Sequence, residues 1–158
     1  MLDAQRAIQY VRAHAASYNI KADKVGILGF SAGGHLAASA AVYTLDAQAS
    51  ATDPIVRVSS RPDCLVLCYP VITMGEFTHQ GSRTNLLGTD PAKDLVNQMS
   101  LENQVHANVP PTFIWHTADD QAVPVENSLM FATGLRRNKI DFALHVFTHG
   151  KHGLGLAT

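Results

Sequence analysis

The stretch GFSAGGH, residues 29–35, decides how this chain is built. The residues before it, Val25 to Leu28, form a short apolar run with two β-branched members. Such a run, stopped by glycine, reads as a buried strand. The residues after it, HLAASAAVYTL, are rich in alanine, the best helix former. Ser31 therefore sits at a strand-to-helix turn between Gly29 and Gly33. Small flanking residues let the turn close tightly enough to hold a serine in a strained conformation with its hydroxyl exposed. A plainer role competes, because serine is also a good N-cap and a glycine-softened turn needs nothing more.

Outward from this turn, helix and strand alternate. Ala4, Ile8, Val11 and Ala15 recur at helical spacing and predict a first helix over about residues 3–18. Strand Val25–Phe30 follows, then a helix from about Ala32 to Leu45. CLVLCY predicts a strand over Cys64–Tyr69, which Pro70 ends. Residues 70–110 form a long connection, with short helical stretches expected after Pro91; a loop of this length is usually functional or carries local structure. TFIWHT predicts a strand over Thr112–Thr117. Pro124 suits the first turn of a helix, with Val125, Leu129, Ala132 and Leu135 as its buried stripe. A last strand is expected at about Asp141–Phe147, before the glycine-rich loop THGKHGLGLAT. The order points to one domain, residues 1–158, of α/β class, with a mostly parallel sheet flanked by helices.

Composition narrows the function classes. A chain of 158 residues with 46% hydrophobic and 16% charged residues can bury an ordinary core. Its net charge of -1, with Lys and Arg scattered, leaves no electrostatic footprint for nucleic acid or an anionic membrane. No apolar run approaches the roughly 20 residues that span a bilayer. The start, MLDAQRAIQYVRAHA, reads as an amphipathic helix and not a signal peptide, so the expected compartment is cytoplasmic. Cys64 and Cys68 lie about 13 Å apart along a strand, beyond the roughly 7 Å that a disulfide bridges. They read as reduced core residues.

In parallel α/β sheets, ligands bind outside the carboxyl ends of the strands. Ser31 follows the first strand, Asp119 and Asp120 follow TFIWHT, and His149 and His152 follow FALHVF. Serine, then aspartate, then histidine, each on its own post-strand loop, is the order of a hydrolase triad on an α/β sheet. The chemistry needs these types. A serine hydroxyl is a poor nucleophile until an imidazole takes its proton, and a carboxylate must orient that imidazole. Either aspartate fits the acid and either histidine fits the base. The backbone N–H of Ala32, next after the nucleophile, is the expected oxyanion donor. His35 and His116 read as hydrogen-bonded core residues. His145, His149 and His152 run from a strand into a glycine loop with no carboxylate at ligand spacing, so no metal is expected.

GFSAGGHLA, HTADDQAVPVENSLMFATGL, HVFTHGKHGLGLA and, in the long connection, YPVITMGEFTHQGSRTNLLG together resemble the α/β-hydrolase fold serine esterases. The likeness is to their acetyl esterase and acetylxylan esterase branch and covers nearly the whole chain. It implies hydrolysis of short acyl esters, chiefly acetyl groups on sugars or xylan, without metal or organic cofactor. It also implies the first aspartate of TADD as the acid, hence Asp119, and the histidine of the terminal HGL, hence His152, as the base. The partner implied is a small-molecule or carbohydrate ester. A prolyl-oligopeptidase-type serine peptidase is the alternative enzyme; that group carries bulky aromatics and a tyrosine beside the elbow, where this chain has Phe30 and Ala32.

The chain also departs from the pattern. The esterases carry an HGGG-type loop upstream of the nucleophile for a second oxyanion donor, and only 30 residues precede Ser31 here. Earlier strands and a closing helix after the histidine loop are expected to be lacking. A non-catalytic, hydrolase-like domain is therefore a third possibility to test. Strand Val25–Phe30 would be a cut edge, and an apolar edge is a template for pairing with another chain.

Overall fold

Four strands, β1 (Gly26–Phe30), β2 (Cys64–Cys68), β3 (Thr112–Thr117) and β4 (Phe142–Phe147), pair side by side in chain order, every pair parallel. The structure, a computed structural model, describes residues 1–156. Parallel neighbours cannot be joined by a hairpin and need a crossover. Here α2 (Ala32–Val42) links β1 to β2, α3 (Gln80–Leu87) and α4 (Lys93–Met99) link β2 to β3, and α5 (Glu126–Arg137) links β3 to β4, while α1 (Leu2–Ala13) precedes the sheet. The register pairs Phe30 with Cys68, Cys68 with Trp115 and Thr117 with Phe147. The strands thus end along one rim, and the loops after β1, β3 and β4 emerge together there. Among the described residues no helix is long and apolar enough to cross a membrane.

The core lies under α2 and α5. Ala37, Ala38, Ala41 and Val42 of α2 meet Leu65, Leu67 and Ile114 of the sheet and Phe131 and Leu135 of α5. A helix whose buried side is alanine comes very close to the strands. A Cβ on Gly29 would lie 2.2 Å from the Gly33 carbonyl oxygen and 2.8 Å from the Ala37 Cβ. The glycine at this position is thus required by backbone approach. Helix α1 packs through Ile8 on Val25 and Ala40. It buries two glutamines, which donate to the carbonyls of Tyr43 (from Gln5) and, at 2.8 Å, Val58 (from Gln9). Asp63 ties this helix to β1 by accepting from Arg12 Nη1 at 2.9 Å and from the Val25 N–H at 2.8 Å.

Several expectations need correction. The first helix ends at Ala13, not near residue 18. Helix α3 was not foreseen: its cap is His79, whose Nδ1 accepts the Ser82 N–H at 3.2 Å in place of the usual hydroxyl or carboxylate. Leu129 is 43% exposed, and the buried side of α5 is Asn127, Ser128, Phe131, Ala132, Gly134 and Leu135. Asn127 is buried because its Oδ1 accepts the N–H groups of Ile72 and Thr73 at 2.8 and 3.0 Å, pinning the chain after β2. Cys64 is an exposed free thiol, and only Cys68 is buried. Helices cover one face of the sheet among the described residues; Leu28, Phe113 and Phe147 on the other remain 47%, 40% and 54% exposed. β1 is one edge of the sheet and β4 the other.

Two glycines that flank Ser31 separate the packing requirement from mere helix propensity. Gly29→Ala should destabilise the fold by about 1–3 kcal/mol through overpacking. A Cβ on Gly33 meets nothing within 4 Å, and Gly33→Ala should hold or raise stability by up to about 1 kcal/mol. Thermal unfolding of the two variants checks the contrast.

Candidate active site

Ser31 has φ 51° and ψ −123°, a region that non-glycine residues avoid. Such a conformation costs on the order of 1–3 kcal/mol and persists only where the surroundings fix it. Here they do. Its N–H donates to the Cys68 carbonyl at 3.0 Å, and its own carbonyl accepts from Gly34 at 2.9 Å and Val71 at 3.0 Å. The hydroxyl caps no helical N–H. It lies instead 2.7 Å from His152 Nε2, so the N-cap role that serine so often takes does not explain this one.

The other nitrogen of the ring continues the line. His152 Nδ1 is 2.7 Å from Asp120 Oδ2, and the Asp120 side chain is 1% exposed. Asp120 Oδ1 accepts the N–H groups of Ala122 at 2.9 Å and Val123 at 3.0 Å. Burial pushes this carboxyl upward, but the donors from Val123, His152 and Ala122 outweigh it and hold the group below the ordinary carboxylate value.

Asp119, expected from the sequence as the acid, is not on the His152 ring; the carboxylate that meets that ring is Asp120. Asp119 lies 45% exposed, with Oδ2 3.0 Å from His149 Nδ1 and Oδ1 accepting the Gly150 N–H at 2.8 Å. These two partners keep its carboxyl below the ordinary value as well. The reason for the exchange is local. Ala118 still pairs with β4, its N–H on the Phe147 carbonyl at 2.8 Å, and the chain then turns, with the Asp120 N–H on the Thr117 carbonyl at 3.3 Å. That turn sends the second aspartate inward. The sequence around the pair does not separate them, because Asp119 stands at the same spacing from Gln121 and Ala122 as Asp120 does from Ala122 and Val123, and either could form an Asx-turn.

The remaining candidates separate cleanly. Ala32 opens α2, where N–H groups have no intrahelical partner. His35 is buried with Nε2 2.9 Å from the Met99 carbonyl, and burial lowers its pKa. His116 is buried with Nδ1 2.7 Å from Ser128 Oγ and Nε2 3.0 Å from the Val123 carbonyl and 3.5 Å from Asp120 Oδ2. Burial lowers its pKa too. His145 lies on β4 with its ring 5.3 Å from that of Phe113, away from the serine. One residue the sequence did not flag joins the cluster: Tyr69, whose ring is 4.9 Å from that of His152 at 72°. Its position, directly after β2 on the same rim, was the available signal.

A strained serine at a strand-to-helix turn, a four-stranded parallel sheet and an aspartate and a histidine on the later post-strand loops define the α/β-hydrolase fold. The chain belongs to the BD-FAE family, whose pattern matches residues 1–135. It is 46% identical over 155 residues to endo-1,4-beta-xylanase B of Butyrivibrio fibrisolvens, covering 98% of this chain and 24% of that protein. It is 35% identical over 161 residues to the acetylxylan esterase of Xylanibacter ruminicola, covering 99% of this chain and 31% of that one. Among solved structures, the acetyl ester-xyloside bifunctional hydrolase from Caldicellulosiruptor lactoaceticus superposes with a TM-score of 0.96 at 52% identity, over 99% of this chain and 57% of that one. The chain thus spans 24% and 31% of these curated relatives and 57% of the solved structure.

The two buried histidines make stability fall in mild acid. Their pKa values are lower folded than unfolded, so below about pH 6.5 the unfolded chain binds protons that the fold refuses. Each should remove up to about 1.4 kcal/mol per pH unit in that range. The buried carboxyl of Asp120 has the depressed value of an acid stabilised when charged, so its contribution is present above about pH 4 and is lost below it, while the exposed Asp119 adds little because solvent screens it. Denaturant unfolding followed from pH 8 to pH 3 should therefore show two falls, and His35→Gln should shrink only the upper one.

Proposed function

We propose that this chain carries the catalytic triad of a serine carboxylesterase acting on short acyl esters, with acetyl groups on xylan-type carbohydrate as the substrate class. The observation that carries it is the unbroken line Ser31 Oγ–His152 Nε2 and His152 Nδ1–Asp120 Oδ2, each 2.7 Å. The carbohydrate part is supported by the names of the relatives, an acetylxylan esterase and an acetyl ester-xyloside hydrolase.

In this mechanism Ser31 Oγ attacks the acyl carbonyl while His152 Nε2 takes the hydroxyl proton. The carbonyl π electrons move to oxygen, and the Ala32 N–H, at the positive end of α2, donates to the oxyanion. The tetrahedral intermediate collapses, the bond to the alcohol breaks, and His152 returns the proton to the leaving oxygen. Water then attacks the acyl-serine, giving its proton to His152, and the carboxylic acid leaves as Ser31 recovers its proton. Asp120 keeps the Nδ1–H directed away from the serine and stabilises the imidazolium at each stage. No metal or organic cofactor enters these steps. Beside Ala32 lies a cavity of about 310 Å³ lined by Leu36, Met74, Leu86 and Met99 among others, which we assign to the acyl group.

Ser31→Ala should abolish covalent labelling by a fluorophosphonate probe and turnover of p-nitrophenyl acetate. Asp120→Asn should lower kcat by about 10³–10⁴, the scale of a triad acid replaced by its amide. A larger loss from Asp119→Asn would return the acid role to Asp119. Faster cleavage of a proline amide than of the acetyl ester would favour the peptidase alternative, and no labelling of the wild-type chain would favour a non-catalytic domain. We also propose self-association of the 158-residue chain through the β1 edge, which light scattering over a dilution series checks; a single monomeric species throughout would exclude it.

A further inference from the structure

We infer that Tyr69 and Asp119 are positioning residues that grip the loop of residues 149–155 on either side of His152 and hold its imidazole between Ser31 and Asp120. This rests on the triad proposed above and adds the residues that keep it assembled.

The loop has little else to hold it. Among the described residues, no backbone–backbone hydrogen bond involves residues 149–156. Gly153 and Gly155 have φ of 86° and 64°, and glycine gives the loop the largest conformational freedom of any residue. A segment with so few internal bonds opens locally at low cost, yet His152 must meet two partners at once.

Side chains supply the restraint. On the upstream side, Asp119 accepts the Gly150 N–H at 2.8 Å through one oxygen and meets the His149 ring at 3.0 Å through the other. Thr117 Oγ1, at the end of β3, donates to the Gly150 carbonyl at 2.7 Å, so Gly150 is held at both its N–H and its carbonyl. On the downstream side, the Gly155 N–H donates to the Tyr69 hydroxyl at 2.8 Å. Between the grips, the edge-on Tyr69 ring packs against the imidazole at 4.9 Å.

Tyr69 is itself built to be rigid. It is 5% exposed, its ring stands edge-on to Trp115 at 5.0 Å and 84°, and its N–H donates to the Trp115 carbonyl at 2.7 Å. Its φ is 38°, although it precedes Pro70, and residues before proline favour extended backbone. A strained, bulky residue retained beside a reacting group is strain used for placement.

The test uses Tyr69→Phe, which removes one hydroxyl and keeps the ring, with Asp119→Ala and the conservative Asp119→Asn, all in the 158-residue chain. Amide hydrogen exchange by NMR reads each grip directly. Tyr69→Phe should speed exchange at Gly155 about tenfold and leave Gly150 unchanged, and Asp119→Ala should do the opposite. Asp119→Asn, which keeps a carbonyl acceptor for Gly150, should restore most of the protection. Each disruptive variant should lower kcat for p-nitrophenyl acetate about tenfold with KM unchanged, as expected for a displaced base. Its low-field His152 Nδ1 proton resonance should broaden or vanish, while the melting temperature stays near that of the parent. Unchanged exchange at the gripped amide, or faster exchange with kcat and the Nδ1 resonance intact, would overturn the inference. A parent chain without turnover, in which the variants still lose the Nδ1 resonance, would overturn the esterase proposal alone.

Discussion

The Ser31 backbone, held at a positive φ by three hydrogen bonds, is the constraint from which the rest of the site follows. Its N–H is bound to the last residue of β2, and its carbonyl gathers the first turn of α2 and the chain leaving β2. The turn therefore cannot relax without breaking the join between two strands. This in turn needs a helix seated almost on the sheet, which the alanines of α2 and the bare Gly29 permit. Larger residues there would lift α2 away and carry the serine out of line with His152.

Once the serine is fixed, parallel pairing does the remaining large-scale work. Four strands in chain order with matched ends bring the loops after β1, β3 and β4 to one rim, although Ser31 and His152 are 121 residues apart. Within that rim the adjacent aspartates take opposite roles because a single turn separates inside from outside. Asp120 is buried, satisfied by two backbone N–H groups, and left with one oxygen for the imidazole. Asp119 stays at the surface and bonds to the loop that carries the imidazole. Two carboxylates side by side in sequence thus serve one histidine by different routes.

The helical cover is one-sided among the described residues, and this shapes how the molecule meets water. The face that carries Leu28, Phe113 and Phe147 is apolar, as both faces of a buried parallel sheet are, but has no layer on it among the described residues. The register pairs Leu28 with Val66 and Val66 with Phe113, so this apolar face runs across neighbouring strands and is not a set of single scattered surface residues.

Much of this was legible in the chain itself. Short apolar runs bounded on one side by glycine or proline marked four strands, because buried parallel strands are continuous in hydrophobicity and need no alternation to be seen. The small-residue frame around Ser31 pointed to the elbow, and the rule that ligands gather at strand ends led to the loops holding Asp119, Asp120, His149 and His152. What local sequence could not decide was which member of each pair turns inward, since both aspartates have the same chemistry and lie in the same loop. That depends on where β3 stops pairing with β4, a long-range fact. The same holds for α3, capped by an unusual histidine, for the polar residues Asn127 and Gln9, buried because distant backbone groups complete their hydrogen bonds, and for Tyr69, whose hydroxyl and ring act on a loop more than eighty residues away. Sequence determined the elements and the reactive types; only the packing of those elements decided the partners, because hydrogen-bond partners across a fold are chosen by position in space and not along the chain.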